Sequence, residues 1–341
     1  MGDTRAGRRL VLGTVLLFAL GGTTSPVTQV LAPHAAPAAA ARAAKAAKPA
    51  ATKTSAKWSG SVNANDRAAV NAAYLRDYQP GLRLPTGWNG NDSTCAAGTQ
   101  SAASRAATLR GINFARSLAG LAPVAFAASL NSSSQLSALL MSANRSLSHT
   151  PPKTWKCYTD AGGANAGKSN LALSYPSITS SGVVGLYLED AGSTNAAAGH
   201  RRWLLNPSST TMGSGATNTA HAMTVVGPTS ASRPNPSYVP WPTSGWFPNT
   251  LEPSGRWSLS VGNRALSFAW ATVHVWRDGK PISVKKNAVV DGYGHPTLVW
   301  QLPANLTRSG TFKVQVTGIR ATAKSTAYTS TYTVRMFTPG S

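Results

Sequence analysis

One histidine of the sequence lies where it could take part in chemistry. His200 stands in the stretch AGHRRWLLNP, shortly after the acidic pair Glu189 and Asp190. This is the only pair of adjacent acids in a chain with 10 Asp and Glu residues, and in so basic a protein it needs a partner. Two interpretations stay open: the acids belong to a site with the histidine, or they form a structural ion pair with Arg201 or Arg202.

A serine hydrolase triad can be assembled on paper from Ser169, His200 and Asp190. Such a nucleophile usually sits on a sharp turn marked by the pattern GxSxG, and the sequence GKSNL around Ser169 lacks it. We therefore expect no serine nucleophile. Three further histidines occur in predicted strands or loops without clustered acids, and we expect them to lie outside any site: His221, His274 and His295.

Two predicted helices precede these candidates. Apolar residues at helical spacing predict the first, which Gly120 ends: Leu109, Ile112, Ala115 and Leu118. The second is predicted over residues 127–146, with one tightly packing face: Leu130, Ser134, Ser137 and Met141. His149 follows its end, before Pro151 and Pro152, which cannot continue a helix.

The segments that lead to and follow His200 are predicted as loop, helix and strand. A loop rich in Gly and Ala is expected over residues 160–168, and a third helix over 181–190. A strand is expected over residues 221–226. The candidates thus lie at the ends of short elements that must come together in one domain.

Cys95 and Cys157 are the only cysteines. In an exported protein an even pair is most simply one disulfide, although two buried thiols are the alternative. The bond would close a long loop and stabilise the fold by about 3–5 kcal/mol.

The N-terminus has the layout of a secretory signal. Arg5, Arg8 and Arg9 precede the apolar run Leu10–Leu20, and small residues follow it. The run is too short for a comfortable membrane span, and no later segment reaches the length that spanning needs. A twin-arginine signal is an alternative that the flanking residues fit poorly. We expect a signal peptide over residues 1–36, a secreted protein, possible wall association, and no transmembrane segment in the mature chain.

Charge indicates the kind of partner. The chain has 32 Lys and Arg against 10 Asp and Glu, a formal net charge of +22, and residues 58–341 alone keep +15. Five of the cations lie in an Ala- and Pro-rich linker expected over residues 37–57. Such a balance favours a polyanionic neighbour. Because no Lys/Arg block or RNA-type aromatic motif occurs, nucleic acid is not expected as the partner. Anionic polymers of the cell envelope are expected instead.

The C-terminal third predicts a β-domain. A Pro-rich linker is expected over residues 228–240, and residues 241–341 alternate apolar and polar side chains, as in Phe312, Val314 and Val316. Asp278-Gly279 is typical of a hairpin turn. Several short strands in about 100 residues favour an Ig-like sandwich. Its tryptophans are expected mostly in the core, whereas exposed ones could stack on sugar rings.

Five segments, taken in order, resemble the CAP superfamily of cysteine-rich secretory, antigen and pathogenesis-related proteins, in its bacterial SCP-like form. They are LRGINFAR with GLAPV (109–116, 120–124), SHTP (148–151), AGKSNL (166–171), YLED with GHR and LLNP (187–190, 199–201, 204–207), and MGSG (212–215). The resemblance covers about residues 101–227, and the CAP domain is expected over 58–227. It implies an α+β fold, an α-β-α sandwich.

The resemblance also implies a cleft with two histidines and two acids, which in some relatives binds a divalent metal such as zinc. His149 and His200 take the histidine positions, and Asp190 or Glu189 takes one acidic position. At the other, before Asn170, this chain has Ser169 instead of Glu. A hydroxyl is a poor ligand for a hard cation, so metal affinity should be lowered.

These observations lead to one expected function and two alternatives. We expect a secreted, non-catalytic CAP-domain protein of a bacterial envelope, with a small lipid or glycan ligand in its cleft. The first alternative is a metal-assisted hydrolase acting on wall material or peptides through His149, His200 and Asp190. The second is a passive, wall-associated scaffold held by charge.

Overall fold

The structure, a computed structural model, describes residues 28–34, 60–262 and 265–340. The expected linker over residues 37–57 lies outside the described residues, as does most of the expected signal peptide over 1–36. Residues 28–34, from the end of that expected peptide, are described and belong to the fold. None of the described helices is long and apolar enough to cross a membrane.

Among the residues that the structure describes, six α-helices form, all before residue 205. They are α1 (Arg67–Ala73), α2 (Ala102–Leu118), α3 (Ala128–Asn144), α4 (Asp160–Ala166), α5 (Ser180–Glu189) and α6 (Gly199–Leu204). The helices expected over 127–146 and 181–190 are confirmed to within two residues at each end. The expected loop over 160–168 is wrong. Thr159 caps α4 by accepting a hydrogen bond from the backbone of Gly162, which offsets the poor helix propensity of the glycines.

A five-stranded sheet lies among these helices. Its strands are β1 (Thr28–Leu31), β2 (Ala125–Phe126), β3 (Ser169–Ser174), β4 (Thr211–Ala216) and β5 (Ala220–Thr224). The order across the sheet is β1-β3-β5-β4-β2, antiparallel except for the β2–β4 pair. The strand expected at 221–226 is therefore confirmed as β5, the centre of the sheet.

Helices cover both faces of this sheet. Alternate strand residues face opposite sides, so Leu171 and Ala222 pack with α3, whereas Ala172 and Met223 pack with α2 and α5. Gly215 allows the close approach of α3, because a Cβ there would lie 2.1 Å from the backbone nitrogen of Gln135. The α-β-α sandwich implied by the resemblance is confirmed.

A disulfide joins Cys95 to Cys157, with a Cα–Cα distance of 5.1 Å. The sequence prediction of one bond is confirmed. The bridge ties the segment before α2 to the segment before α4, 62 residues apart. It therefore holds the two loops that flank α3 at one end of the domain.

The C-terminal part is built from two sheets, as expected. Their orders are β10-β9-β13-β14-β7 and β11-β12-β8-β6. The strands are β6 (Tyr238–Trp241), β7 (Gly245–Pro248), β8 (Arg256–Val261), β9 (Thr272–Arg277), β10 (Lys280–Ile282), β11 (Lys285–Lys286), β12 (Thr297–Gln301), β13 (Gly310–Ile319) and β14 (Tyr328–Phe337). Trp257 of one sheet packs edge-to-face on Phe312 of the other, with ring centroids 5.2 Å apart. The predicted hairpin at Asp278 joins β9 to β10.

The two parts of the molecule share one hydrophobic core, which contains residues of α2, α5 and both C-terminal sheets. Strand β6 begins at Tyr238, inside the expected Pro-rich linker over 228–240. The helix that carries His200 lies directly at this junction: the guanidinium of Arg201 donates to Ser258 Oγ of β8 at 3.1 Å. The β-domain therefore forms one wall around the candidate site.

Candidate functional site

His200 and Asp190 form a fully buried pair. Asp190 ends α5 in the left-handed conformation, with φ 54°, and its Oδ1 accepts a hydrogen bond from His200 Nδ1 at 2.5 Å. Its Oδ2 accepts from the backbone nitrogen of Arg201 at 2.9 Å. Both side chains are 0% exposed. The carboxylate thus holds the imidazole proton on Nδ1 and leaves the lone pair on Nε2.

Of the two adjacent acids, Asp190 faces the histidine. Glu189 is partly exposed, and burial raises the pKa of its carboxyl while Arg201 and Arg256 oppose that rise. The arginine side chains do not pair with Asp190 in the way the structural interpretation required. Arg201 instead donates to the carbonyls of Leu188 and Glu189.

His149 lies beyond the end of α3 and is held in the same tautomer. Its Nδ1 donates to the carbonyl oxygen of Ala166 at 2.7 Å. Burial lowers the pKa of this imidazole, and the nearby His200 lowers it further, against the carbonyls of Ala166 and Ala32. His149 Nε2 is buried and makes no hydrogen bond of good geometry within the part of the chain that the structure describes, although the carbonyl of Ala32 lies near the ring.

The same holds for His200 Nε2, so two imidazole lone pairs are buried without a partner among the described residues. Asn170 Oδ1 is a third such atom; its Nδ2 donates to the carbonyl of His200 at 3.2 Å. Asn170 thus lies beside the buried histidine pair. A buried polar atom without a partner is costly.

The donor set falls short of a catalytic zinc site. Both histidines fit as ligands, because each Nδ1 is engaged and each Nε2 carries a lone pair. Asp190 is used to orient His200 and does not supply a third ligand. Within residues 28–34, 60–262 and 265–340 no group of three His, Cys, Asp or Glu is placed to hold a metal. Catalytic zinc usually has three protein ligands, so these residues do not fit one.

Ser169 and Asn170 face opposite sides of the sheet, as neighbours on a strand must. Ser169 Oγ donates to the carbonyl of Asn165 at 2.8 Å, on the side of α3 and α4. Asn170 faces α5 and His200. Ser169 thus braces the end of α4 and lies outside the cleft, whereas Asn170 lies in it.

Tyr187 is a site residue that sequence reasoning missed. Its ring stacks on His200, with centroids 5.3 Å apart and planes within 7°, and its hydroxyl donates to the carbonyl of Asn170 at 3.1 Å. The hydroxyl also contacts Nδ1 of His221 at 3.1 Å, and burial lowers the pKa of that imidazole to about 3. Tyr187 lies three residues before Asp190, a spacing that places two side chains on the same face of a helix. This spacing was the signal in the sequence that could have identified Tyr187.

A short N-terminal stretch covers this cleft. The carbonyl of Pro33 accepts a hydrogen bond from Trp203 Nε1 at 2.7 Å. His34 Nε2 lies 3.0 Å from the carbonyl oxygen of Asp291, and its ring meets Tyr293 edge-on at 4.9 Å. The histidine pair is therefore enclosed by α5, α6, the β-domain and residues of the N-terminus.

Comparisons with known proteins agree with this architecture in one region. Residues 109–227 match the model of the cysteine-rich secretory protein family, CAP. No curated protein matches the chain. Among solved structures the chain is similar to PcoC, a methionine-rich copper resistance protein from Escherichia coli, with 15% identity over 30% of this chain and 96% of that one, and a TM-score of 0.23.

A second similarity is to a structure of titin kinase and its flanking domains, with 14% identity over 25% of this chain and 14% of that one, and a TM-score of 0.15. Scores this low carry no inference about the fold or function of this chain. The family match, by contrast, spans His149, Asn170, Asp190 and His200. The chain thus contains, over residues 109–227, a region that matches the CAP family of cysteine-rich secretory proteins.

Proposed function

We propose that this is an exported, non-catalytic CAP-domain protein that binds an anionic glycan polymer of a bacterial envelope. The observation that carries the proposal is the outward face of the sheet β10-β9-β13-β14-β7. Export is supported by the N-terminal arrangement of arginines, apolar run and small residues. The net charge of +15 on residues 58–341 supports a polyanionic partner.

Along each strand of this sheet, residues that point into the core alternate with residues that form the outward face. Val273, Val275, Phe312 and Val314 point inward and are buried. The positions between them form the outward face: Thr272, His274 and Trp276 of β9, Lys313 and Gln315 of β13, Thr331, Thr333 and Arg335 of β14, and Trp246 of β7. This face combines aromatic rings, hydroxyls and cations, and none of these positions is acidic.

Two aromatic–cation pairs lie on this face. Lys313 Nζ is 5.3 Å from the ring of Trp276, and the guanidinium of Arg335 is 5.9 Å from the ring of Trp246. Indole rings stack on the apolar faces of sugar rings, while the cations beside them attract phosphate or carboxylate groups. Thr and Gln side chains supply hydrogen bonds to sugar hydroxyls. An anionic glycan is the ligand that uses all three features.

The cleft supports the non-catalytic part of the proposal. Its zinc donor set is incomplete, and His200 and Asp190 are fully buried. A lipid or glycan in the cleft, as first expected, would have to displace residues 32–34. We therefore assign the binding role to the β-domain and not to the histidine pair.

Retention on purified cell walls tests the proposal. The protein, incubated with walls and separately with anionic lipid vesicles, is expected to sediment with the walls. Retention should persist in part at moderate salt, since stacking of indole on sugar is not screened as ion pairs are. Retention by neither material would refute the proposal. Retention that vanishes entirely at moderate salt would favour the passive scaffold.

The metal-assisted hydrolase remains the second candidate, on one observation: within the described residues, the Nε2 atoms of His149 and His200 are buried and make no hydrogen bond of good geometry. Metal analysis of the purified protein and turnover of wall fragments, before and after His200→Ala, distinguish it from the first. Bound metal together with turnover that His200→Ala abolishes would establish the hydrolase. Lys285→Ala, at an exposed position of the opposite sheet, is the control.

A further inference from the structure

Residues 28–34, here called the N-terminal segment, add an edge strand to the CAP sheet. Thr28 pairs with Ser174 and Leu31 pairs with Leu171, in antiparallel register along β3. Without the segment, β3 would be the edge of this sheet and would present unpaired backbone groups. An open strand edge of this kind accepts an extended peptide by strand addition.

The segment continues from the strand onto helix α6, where the fit is close. A Cβ on Gly199 would lie 2.8 Å from the Cβ of Ala32, so a small residue meets a glycine at this point. The next carbonyl, of Pro33, accepts the hydrogen bond from Trp203 Nε1 at 2.7 Å. The indole nitrogen is nearly buried, and this carbonyl is its partner.

The last residue of the segment reaches the other domain. His34 Nε2 lies 3.0 Å from the carbonyl oxygen of Asp291, and the ring contacts Tyr293. Gly292 leaves room for this ring, because a Cβ there would lie 2.3 Å from His34 Nε2. Strand pairing, an indole hydrogen bond and an imidazole contact thus hold seven residues along a groove that both domains form.

We infer that the β3 edge, Trp203 and Tyr293 form a binding groove for an extended peptide, and that the N-terminal segment is its tethered ligand. The preferred ligand has a small residue opposite Gly199, a proline that offers its carbonyl to Trp203, and a histidine. Occupancy closes the cleft, because the carbonyl of Ala32 lies against His149 and its side chain lies on the helix of His200. Release of the segment opens the histidine pair to solvent.

The inference fixes where the export signal is cut. A cut after residue 36, the boundary that the sequence suggested, would remove the tethered ligand. The small residues that follow the apolar run, 21–25, provide an exit upstream of Thr28. The mature N-terminus is therefore expected at or before Thr28, and the mass of the secreted protein measures it directly.

A cut in the tether tests the groove itself. A site-specific protease sequence is substituted for residues 46–51 of the full chain, and the secreted protein is cleaved after purification. The N-terminal fragment is expected to co-elute with the body in gel filtration. An excess of synthetic TQVLAPH, the sequence of residues 28–34, should displace it.

Histidine modification by diethyl pyrocarbonate, read by peptide mass spectrometry, reports on the cleft. After the fragment has been displaced, the synthetic peptide is removed as well, which leaves the groove empty. His149 and His200 should then react at least tenfold faster than in the uncut protein. The exposed His274 and the buried His221 serve as internal references whose rates stay unchanged.

Trp203→Phe removes the indole donor and keeps an aromatic ring. It should weaken retention of the fragment about five- to tenfold, the effect of one hydrogen bond. Trp88→Phe is the matched control, since Trp88 Nε1 donates to the carbonyl of Ala97 at 2.8 Å, outside the groove. The circular dichroism of both variants checks that they fold.

Three results would overturn the inference. The first is a mature N-terminus beyond Thr28. The second is a fragment that elutes apart from the body as soon as the tether is cut. The third is equal reactivity of His149 and His200 in the uncut protein and in the cut protein from which both the fragment and the peptide have been removed.

Discussion

At the scale of single residues, Asp190 decides the chemistry of the cleft. Its two carboxylate oxygens accept from His200 Nδ1 and from the backbone of Arg201. The first bond fixes the tautomer, and the second fixes the carboxylate against the start of α6. Because this carboxylate holds the imidazole proton on Nδ1 of His200, the lone pair lies on Nε2.

Replacing Asp190 by Asn should therefore change both stability and tautomer. An amide offers one acceptor oxygen, so Nδ2 would face either the Nδ1–H of His200 or the amide of Arg201. We expect a loss of about 1–3 kcal/mol in the free energy of unfolding and a shift of the imidazole proton to Nε2. Urea unfolding and nitrogen NMR of His200 measure the two effects.

Asp278→Asn is the control, because Asp278 is exposed and accepts from the backbone of Thr311 at a turn. Its unfolding free energy should change by no more than about 0.5 kcal/mol. An Asp190→Asn variant with unchanged stability and an unchanged tautomer would contradict the role given to this carboxylate.

His221 predicts a pH dependence of stability. Burial lowers its pKa to about 3, from about 6.5 in an unfolded chain. Between these values the unfolded state binds more protons than the folded state. The stabilising contribution is therefore complete above about pH 6.5 and is lost as the pH falls, by up to about 1.4 kcal/mol per pH unit.

His221→Gln isolates this contribution. The variant lacks the titrating imidazole, so the stability advantage of the natural protein over it should shrink between about pH 6.5 and pH 4.5. Denaturant unfolding of both proteins at four pH values gives the difference directly. Glu252, whose pKa burial raises to about 7, has the opposite pH dependence but is common to both proteins and cancels. A difference that is independent of pH would refute the prediction.

At the scale of elements, the disulfide anchors the loops around α3. Cys95 and Cys157 are separated by 62 residues, and a loop of this length restricts the unfolded chain strongly. Cys95→Ser with Cys157→Ser should lower the free energy of unfolding by about 3–5 kcal/mol. Equal stability of the double variant and the oxidised protein, measured by urea unfolding, would contradict this prediction. Reduced natural protein is the control.

How far the elements could be predicted depends on whether their signal is local. Helices α3 and α5 show helical spacing and were found to within two residues. Helix α4 was missed because the Thr159 cap outweighs the glycines within it. Strand β1 was missed because four residues after an apolar leader show no pattern of their own, and their pairing with β3 is non-local.

The same reasoning applies to the site. The positions of His149 and His200 followed from ordered motifs, which left open whether Glu189 or Asp190 faces the cleft; the structure assigns Asp190. The side on which Ser169 lies depends on the register of β3, which the sequence does not show. The ring of Tyr187 under His200 depends on how α5 docks on the sheet, and is likewise a tertiary property.

At the scale of the whole molecule, Arg256 joins the two domains. From β8 it donates to the backbone carbonyls of Asp190, Gly192 and Asn195, around the turn that precedes α6. Because this turn also carries the carboxylate of the cleft, the β-domain supports the site directly. The shared core adds hydrophobic contact to these bonds.

Both domains are therefore expected to unfold in one transition, with coincident changes in far-ultraviolet dichroism and tryptophan fluorescence. Arg256→Gln should lower the free energy of unfolding by about 2–4 kcal/mol and shift both signals together. Arg320→Gln, which removes an exposed contact to the carbonyl of Ala323, is the control. Separate transitions in the natural protein would contradict the coupling.

The distribution of aromatic rings completes the description at this scale. Trp241, Trp257 and Trp300 are fully buried in the β-domain core, as expected for most of its tryptophans. Trp276 and Trp246 instead lie on the outward face beside Lys313 and Arg335. Trp270, just before β9, is 42% exposed. The surface that we assign to glycan binding thus carries Trp276 outside the core, whereas Trp246 at its edge also packs against the core.

Affinity for a purified anionic wall polymer tests the proposed function most directly. Titration by tryptophan fluorescence compares the natural protein with the double variant Trp276→Ala, Lys313→Ala, and with Lys285→Ala, which removes one exposed cation from the opposite sheet. We predict that the double variant binds at least tenfold more weakly, while Lys285→Ala changes the affinity less than twofold. Equal affinities for all three proteins would contradict the assignment of glycan binding to this face.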